Sequence, residues 1–324
     1  MSKQFILSVL LLLAGQVTGQ NYPGPVGALN SDAIENTRVL FTGWATGVEV
    51  KRGYLDIEDT TFEILGTNKA IHGVPNNALG FASGLVGDVV SLGDGGEAIL
   101  TFDWPISDGN GPDFAVFENS FSDEFLELAF VEVSTDGEKF VRFPAHSETQ
   151  TLTQINGFGN LEASRLYNLA GKYRGGYGTP FDLSELQDSI GIDIQEIRYV
   201  KIIDAVGSIG DSARYDAQYN KINDPYPTPY ESGGFDLDGV GVIHQTVGIS
   251  EENKSELYFY PNPARDYLHF NNVVEHVAIY NTQGKLVYST AEVESILLNL
   301  PKGMYVVLFG YSDSEIKRER LIIE

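Results

Sequence analysis

The sequence predicts an all-β protein, a large β-sandwich of the jelly-roll kind followed by a small immunoglobulin-like β-sandwich. Three observations lead there. Apolar stretches are short and mostly alternate with period two, the spacing that turns one face of a strand inward. Glycines and Asp-Gly or Gln-Gly pairs separate them, and such pairs tolerate the positive φ of tight turns. Helical signals are brief: after Pro180, Asp182-x-x-Glu185 reads as a cap with its reciprocal acid, opening a helix of about two turns.

In chain order, residues 1–19 read as an export signal. Lys3 supplies the positive start, residues 5–14 are apolar apart from Ser8, and Val17-Thr18-Gly19 offers small residues for cleavage, expected after Gly19 so that Gln20 becomes the new end. That stretch is too short to span a bilayer as a stable helix, and no later segment approaches the ~18 apolar residues required, so the mature chain is expected to lack a transmembrane segment.

Residues 20–246 form the large domain. Gly95-Gly96 leads into 97–102, where Ala98, Leu100 and Phe102 alternate with Ile99 and Thr101. Residues 114–117 are apolar at every position, as in a strand buried between two layers. Residues 128–134 alternate, Asp136-Gly137 turns the chain, and 140–143 returns as the second arm of a hairpin. Residues 198–203 and 235–243 supply two more strands. Residues 247–255 are polar and aperiodic, hence a linker. In 256–324, strands are expected at 268–270, 277–280, 286–288, 304–309 and 320–323, with a turn at Gln283-Gly284.

Composition narrows the chemistry. There are 45 acids against 21 bases, a net charge of −24, which repels nucleic acid and anionic headgroups. The absence of cysteine removes disulfides, thiolate catalysis and cysteine-bound metal. His72, His146, His244, His269 and His276 occur singly, outside any zinc-hydrolase spacing. Ser164 and Ser208 lack a G-x-S-x-G setting. No catalytic motif emerges, although a glycosidase needs only two carboxylates at a defined separation.

Two constellations remain. Asp108-Gly109-Asn110-Gly111-Pro112-Asp113 sets three oxygen-bearing side chains on a glycine-rich loop, the kind of flexible oxygen donor set that calcium takes. Glu118, Asp236 and Asp238 are the further candidate ligands, the last two expected on one face of a strand because side chains two apart point the same way. They would complete the first site or make their own. The second constellation is aromatic: Tyr215, Tyr219, Tyr226 and Tyr230 in one loop, with Tyr167, Tyr173 and Tyr177 in another, offer rings that stack on flat ligands.

Resemblance enters on particular residues. Tyr260-Pro261-Asn262-Pro263-Ala264, the stretch Val277-Ala278-Ile279-Tyr280-Asn281 with Gln283-Gly284-Lys285, and Leu300-Pro301-Lys302-Gly303-Met304-Tyr305 closely resemble the type A C-terminal sorting domain of type IX secretion. The resemblance implies passage across the outer membrane by that machinery, then release or anchoring at the surface. In the large domain, Gly111-Pro112-Asp113-Phe114-Ala115-Val116-Phe117-Glu118-Asn119 and Gly233-Gly234-Phe235-Asp236-Leu237-Asp238 are similar to a family of exported bacterial cell surface proteins, which implies location more than activity. Strands 131–143 and 198–205 resemble discoidin-like jelly rolls at the level of fold. The expectation is a secreted, calcium-stabilised surface binding or adhesion module whose partner is an extracellular glycan, protein or small nutrient. The alternatives are a carbohydrate-cleaving hydrolase or lyase using carboxylates such as Glu118 and Asp236, and a structural surface or matrix component.

Overall fold

The structure, a computed structural model, describes residues 22–85, 87–246, 257–310 and 316–324. The expected export signal, its cleavage point at Gly19 and Gln20, and the 247–255 linker lie outside the described residues. The chain divides into two compact units, Met1–Val247 and Gly248–Glu324.

Seven strands of five or more residues build the first unit: β1 (Gly47–Lys51), β2 (Glu97–Ile106), β3 (Phe114–Glu118), β4 (Ala129–Ser134), β5 (Tyr177–Phe181), β6 (Ile197–Asp204) and β7 (Asp236–Val242). One sheet has the order Ile34–Glu35, β5, β3, β7, Gly43–Trp44, with Val90–Ser91 also paired to β7; the other runs β1, β2, β6, β4, Val141–Arg142. All these pairings are antiparallel. From β2 to β7 each successive long strand lies in the sheet opposite its predecessor. The two inner faces share one core, in which Leu100, Val131, Val200 and Ile202 meet Phe114, Val116, Leu237 and Val242.

The strand expectations are met in physical detail. Ala98 and Leu100 of β2 are buried while Ile99 and Thr101 are only partly so. All five residues of β3 are buried: Phe114 and Val116 face the inter-sheet core, whereas Ala115 and Phe117 face a second cluster covered by Phe41 and Trp44. At the hairpin, Asp136 Oδ1 accepts from the N–H groups of Glu138 (2.8 Å) and Lys139 (2.9 Å), and Gly137 has φ 79°. The helix after Pro180 is shorter than expected, a single 3₁₀ turn at Leu183–Leu186. Asp182 caps it, but Glu185 accepts from Asn168 Nδ2 (2.7 Å), a partner outside the capping box.

The second unit packs a three-stranded sheet, Phe259–Tyr260, β8 (Tyr267–Val274) and β11 (Val293–Leu297), and a four-stranded one, β10 (Leu286–Thr290), β9 (His276–Asn281), β12 (Gly303–Gly310) and β13 (Ile316–Ile323). Leu268, Phe270, Ile279, Val307 and Leu321 lie in its core. It is the small β-sandwich expected, with β11 as a strand the sequence pattern did not announce. Asn281 Oδ1 holds the Gln283-Gly284 turn by accepting from the N–H groups of Gln283 (3.0 Å) and Lys285 (2.9 Å).

Phe114 stacks on Phe181 (5.3 Å between centroids) and meets Phe143 edge-on (5.9 Å). Phe114→Ala is therefore expected to cost about 3–5 kcal/mol, read as a lower urea midpoint at unchanged slope. A loss below about 1 kcal/mol would mean that these rings do not anchor the two layers.

Candidate functional site: an aromatic-rimmed acidic cavity

The candidate ligands separate to opposite ends of β3 and β7. Because the two strands are antiparallel, with Leu237 opposite Glu118 and Val242 opposite Phe114, Asp113 lies at one end and Glu118 with Asp236 at the other. One site using all of them is not what the fold builds.

At the first end, Asp108 and Asp113 are joined by Asp182, with ligand oxygens all within 4.8 Å of one another. Asp113 is fully buried. Its Oδ1 accepts from Gly109 N (2.7 Å) and His244 Nδ1 (2.8 Å), and its Oδ2 from Leu183 N (2.7 Å). Asp182 Oδ1 accepts from the N–H and hydroxyl of Ser184 (3.0 and 2.5 Å). The Asp108 Oδ1 atom is buried with no hydrogen-bond partner. Asn110 is exposed on the loop.

A β-bulge explains why Asp236 and Asp238 do not act together. Leu237 pairs with Glu118 and Gly239 with Phe117, so Asp238 is the extra residue and the two-residue period breaks there. Asp238 accepts from the N–H groups of Ser83 (3.1 Å) and Gly84 (2.7 Å). Asp236 accepts instead from the Ser91 hydroxyl.

Beside Asp236 the first unit holds a cavity of about 170 Å³. Three carboxyl groups line it: Glu118 and Asp236, both buried, and the half-buried Glu127. Glu118 Oε2 accepts from Ser120 N (2.7 Å), whereas Oε1 is buried with no hydrogen-bond partner. Four rings also line it: Phe121 stacks on Phe125 (4.5 Å), Phe125 lies 6.2 Å from Phe158, and Phe158 lies 5.9 Å from Tyr230. Phe121, Phe158 and Tyr230 are exposed, forming an apolar rim of the type that marks contact sites.

Burial lifts the acids here. Glu118 is raised well above the usual carboxylate range by desolvation, then by the nearby Asp236. Glu127 is raised likewise, by desolvation and then by Asp236 and Glu118. Desolvation also raises Asp236, against the Ser91 hydroxyl and the charges of His72 and Arg52. Arg52 itself donates to the carbonyls of His72 (2.8 Å), Gly73 (2.6 Å) and Ser91. Behind the cavity, Asp94, Asp204 and Asp224 are raised by burial, and Asp204 adds repulsion at the other two.

The tyrosines disperse. Tyr230 reaches the cavity; Tyr215 and Tyr219 are exposed on a turn held by Asp216, whose Oδ1 accepts from Gln218 N and Asn220 N (both 2.8 Å). Tyr226 is buried, its hydroxyl donating to Asp56 Oδ1 (2.5 Å). Tyr177 is half-buried on β5, with the Arg174 guanidinium 5.1 Å from its ring centre. Tyr173 is buried, donating to Asp32. Sequence reasoning missed Phe121, Phe125, Phe158 and Glu127. The closest signal was Phe121 and Phe125 flanking a polar triplet immediately after the Glu118-Asn119 motif.

Comparison with known families identifies the second unit: residues 258–324 match the secretion system C-terminal sorting domain. No curated protein matches the chain. The sorting domain, of the type IX system, marks a secreted protein exported to the cell surface and implies interaction with that machinery. No helix among the described residues is long and apolar enough to cross a membrane.

The carboxyl shifts give a pH dependence of definite sign. Asp238 stands at about 6, and Asp94, Asp204 and Asp236 are raised in the same direction, all principally by burial. The folded state then binds more protons than the unfolded one above about pH 4, so this contribution is full at acidic pH and is lost as pH rises through the folded values. The melting temperature is expected to fall between about pH 5 and pH 8, and Asp94→Asn to flatten the fall. A melting temperature constant or rising over that range contradicts the assignment.

Proposed function

We propose that the first unit is a binding module for an extracellular glycan, protein or small molecule, carried to the surface by the sorting domain, and that its ligand seats at the aromatic-rimmed cavity. The observation that carries this reading is the run of exposed rings, Phe121, Phe158 and Tyr230, at a cavity whose wall holds an unpartnered buried carboxyl oxygen. Exposed rings stack on sugar faces and flat ligands, and buried polar groups at the floor confer selectivity. Screening the mature protein against a glycan array and extracellular extracts tests it. Phe158→Ala and Tyr230→Ala are expected to weaken any ligand found by about tenfold each; retention of full affinity by both would place binding elsewhere.

The proposal includes calcium as a stabilising ion at Asp108, Asp113 and Asp182, supported by their oxygen spacing and the unpartnered Asp108 Oδ1. Chelation is expected to lower the melting temperature of the wild type and to leave Asp108→Asn unaffected. Equal melts with calcium and with chelator would remove the ion from the account.

One arrangement favours a second reading, cleavage of a glycan. Glu118, Asp236 and Tyr230 line the same cavity, and burial raises Glu118, favouring the protonated form that a general acid uses. Release of reducing ends by the wild type and none by Glu118→Gln would establish it.

A further inference from the structure

We propose that the aromatic-rimmed cavity selects a small extracellular molecule through an organic ammonium group, which seats among Glu118, Glu127 and Asp236 beneath the rings of Phe121, Phe125, Phe158 and Tyr230. The inference rests on the cavity being the ligand site and adds the chemical class of the ligand.

Three carboxyl groups line the cavity and no lysine or arginine does. Arg52, whose charge reaches Asp236, is held by three backbone carbonyls. A buried carboxyl oxygen left without a partner costs free energy that an incoming donor recovers, and Glu118, a residue of the cavity lining, carries such an atom in Oε1. Among the described residues, only Asp108, Asp113 and Asp182 bring three acidic side chains within 4.8 Å of one another. Glu118, Glu127 and Asp236 are spread more widely than the shell of one ion bound at 2.3–2.6 Å. A larger cation with several donors, or with a methylated surface, spans them. Four rings share this lining with the acids. Aromatic faces attract cations through the ring quadrupole, and ring cages are the recurrent receptor for quaternary ammonium groups. With liquid water at about 30 Å³ per molecule, about 170 Å³ holds roughly five waters, the scale of such a group.

Binding then carries a proton signature. Burial and mutual repulsion favour the neutral forms of Glu118 and Glu127 in the empty cavity. The groups whose charges act on them are Asp236, Asp238, Asp204 and Asp224, with Arg52 and His72 acting on Asp236. An arriving cation stabilises their ionised forms, so protons leave as it binds and affinity rises with pH.

Calorimetric titration of the full mature chain with choline, glucosamine, neutral N-acetylglucosamine and calcium chloride, in buffers of differing ionisation enthalpy, tests this. Choline, glucosamine or both are expected to bind with proton release, the stronger of them showing whether a quaternary or a primary amine is the source, and N-acetylglucosamine to bind at least tenfold more weakly than glucosamine. Glu118→Gln and the surface change Phe158→Ala should each weaken ammonium binding at least tenfold. Three results overturn the inference: N-acetylglucosamine binding as tightly as glucosamine, neither ammonium compound binding at millimolar concentration, or calcium alone saturating a site that Glu118→Gln abolishes. A neutral sugar whose binding is lost in Phe158→Ala sinks the ammonium selectivity and leaves the binding-module reading standing. Loss of all affinity for the cavity sinks both.

Discussion

The cavity end of the first unit hangs on one carboxylate removed from water. Asp204, the last residue of β6, accepts from the N–H groups of Gly95, Val206 and Phe235, each at 2.9 Å. Those bonds tie the end of one sheet to the 93–96 turn and to the entry of β7 in the other. The approach is close enough that Gly234, at φ 72°, leaves no room for a side chain: a Cβ would lie 2.8 Å from the Gly93 backbone and 2.9 Å from Asp204 Oδ1. The three donors offset part of the desolvation of the carboxylate, which stays raised, and Asp94 and Asp224 accept from the N–H groups of Ile57 and Leu128. The Gly-Asp-Gly-Gly and Gly-Gly-Phe-Asp stretches are thus two halves of one junction, joined also by Gly93 N to Gly233 O (3.0 Å). Glu118 and Asp236 stand beside the cavity because this junction places the ends of β3 and β7 there.

Much of the architecture was legible in the sequence because burial in a sandwich writes itself as a period of two. β2 and β6 show it, while β3, β4 and β7 are buried at all or nearly all positions because both their faces are covered. The Asp136-Gly137 and Gln283-Gly284 turns were legible for a local reason, the side chain bonding its own backbone. The site was much less so. Phe121, Phe125 and Phe158 lie outside the named strands, where no periodicity separates an exposed ring from a buried one. Asp182 joins Asp108 and Asp113 only through the fold. The bulge at Asp238 defeated the one geometric inference that strand periodicity offered, because a single extra residue reverses which way every later side chain points. The dispersal of the tyrosines has the same origin: Tyr173 and Tyr226 hold their loops to the body through buried hydroxyls, a role that composition does not distinguish from ligand contact.

The two acidic groups illustrate how context sorts identical side chains. At Asp113 both oxygens accept hydrogen bonds, from Gly109, Leu183 and His244, which ties its own loop to the neighbouring turn. At Glu118 one oxygen is held and the other is not, in a wall that also contains rings. The difference lies in whether the backbone supplies donors. The Gly109–Asp113 loop and the 183–186 turn aim N–H groups at both oxygens of Asp113, while at the strand end the backbone leaves Glu118 Oε1 without a partner.

The back-and-forth path of the chain between sheets has a cost in time. Most contacts in the chain join segments distant in sequence, a pattern that slows the search for the native state. β7 is the last strand of that unit to be synthesised, yet it fills the gap beside β3. Until residue 242 is available, Phe114–Glu118 keeps a bare edge of backbone donors and acceptors with greasy side chains above and below, an arrangement that recruits foreign strands. A polypeptide cut short anywhere before Asp236 is for that reason a seed for clumping rather than a smaller working protein.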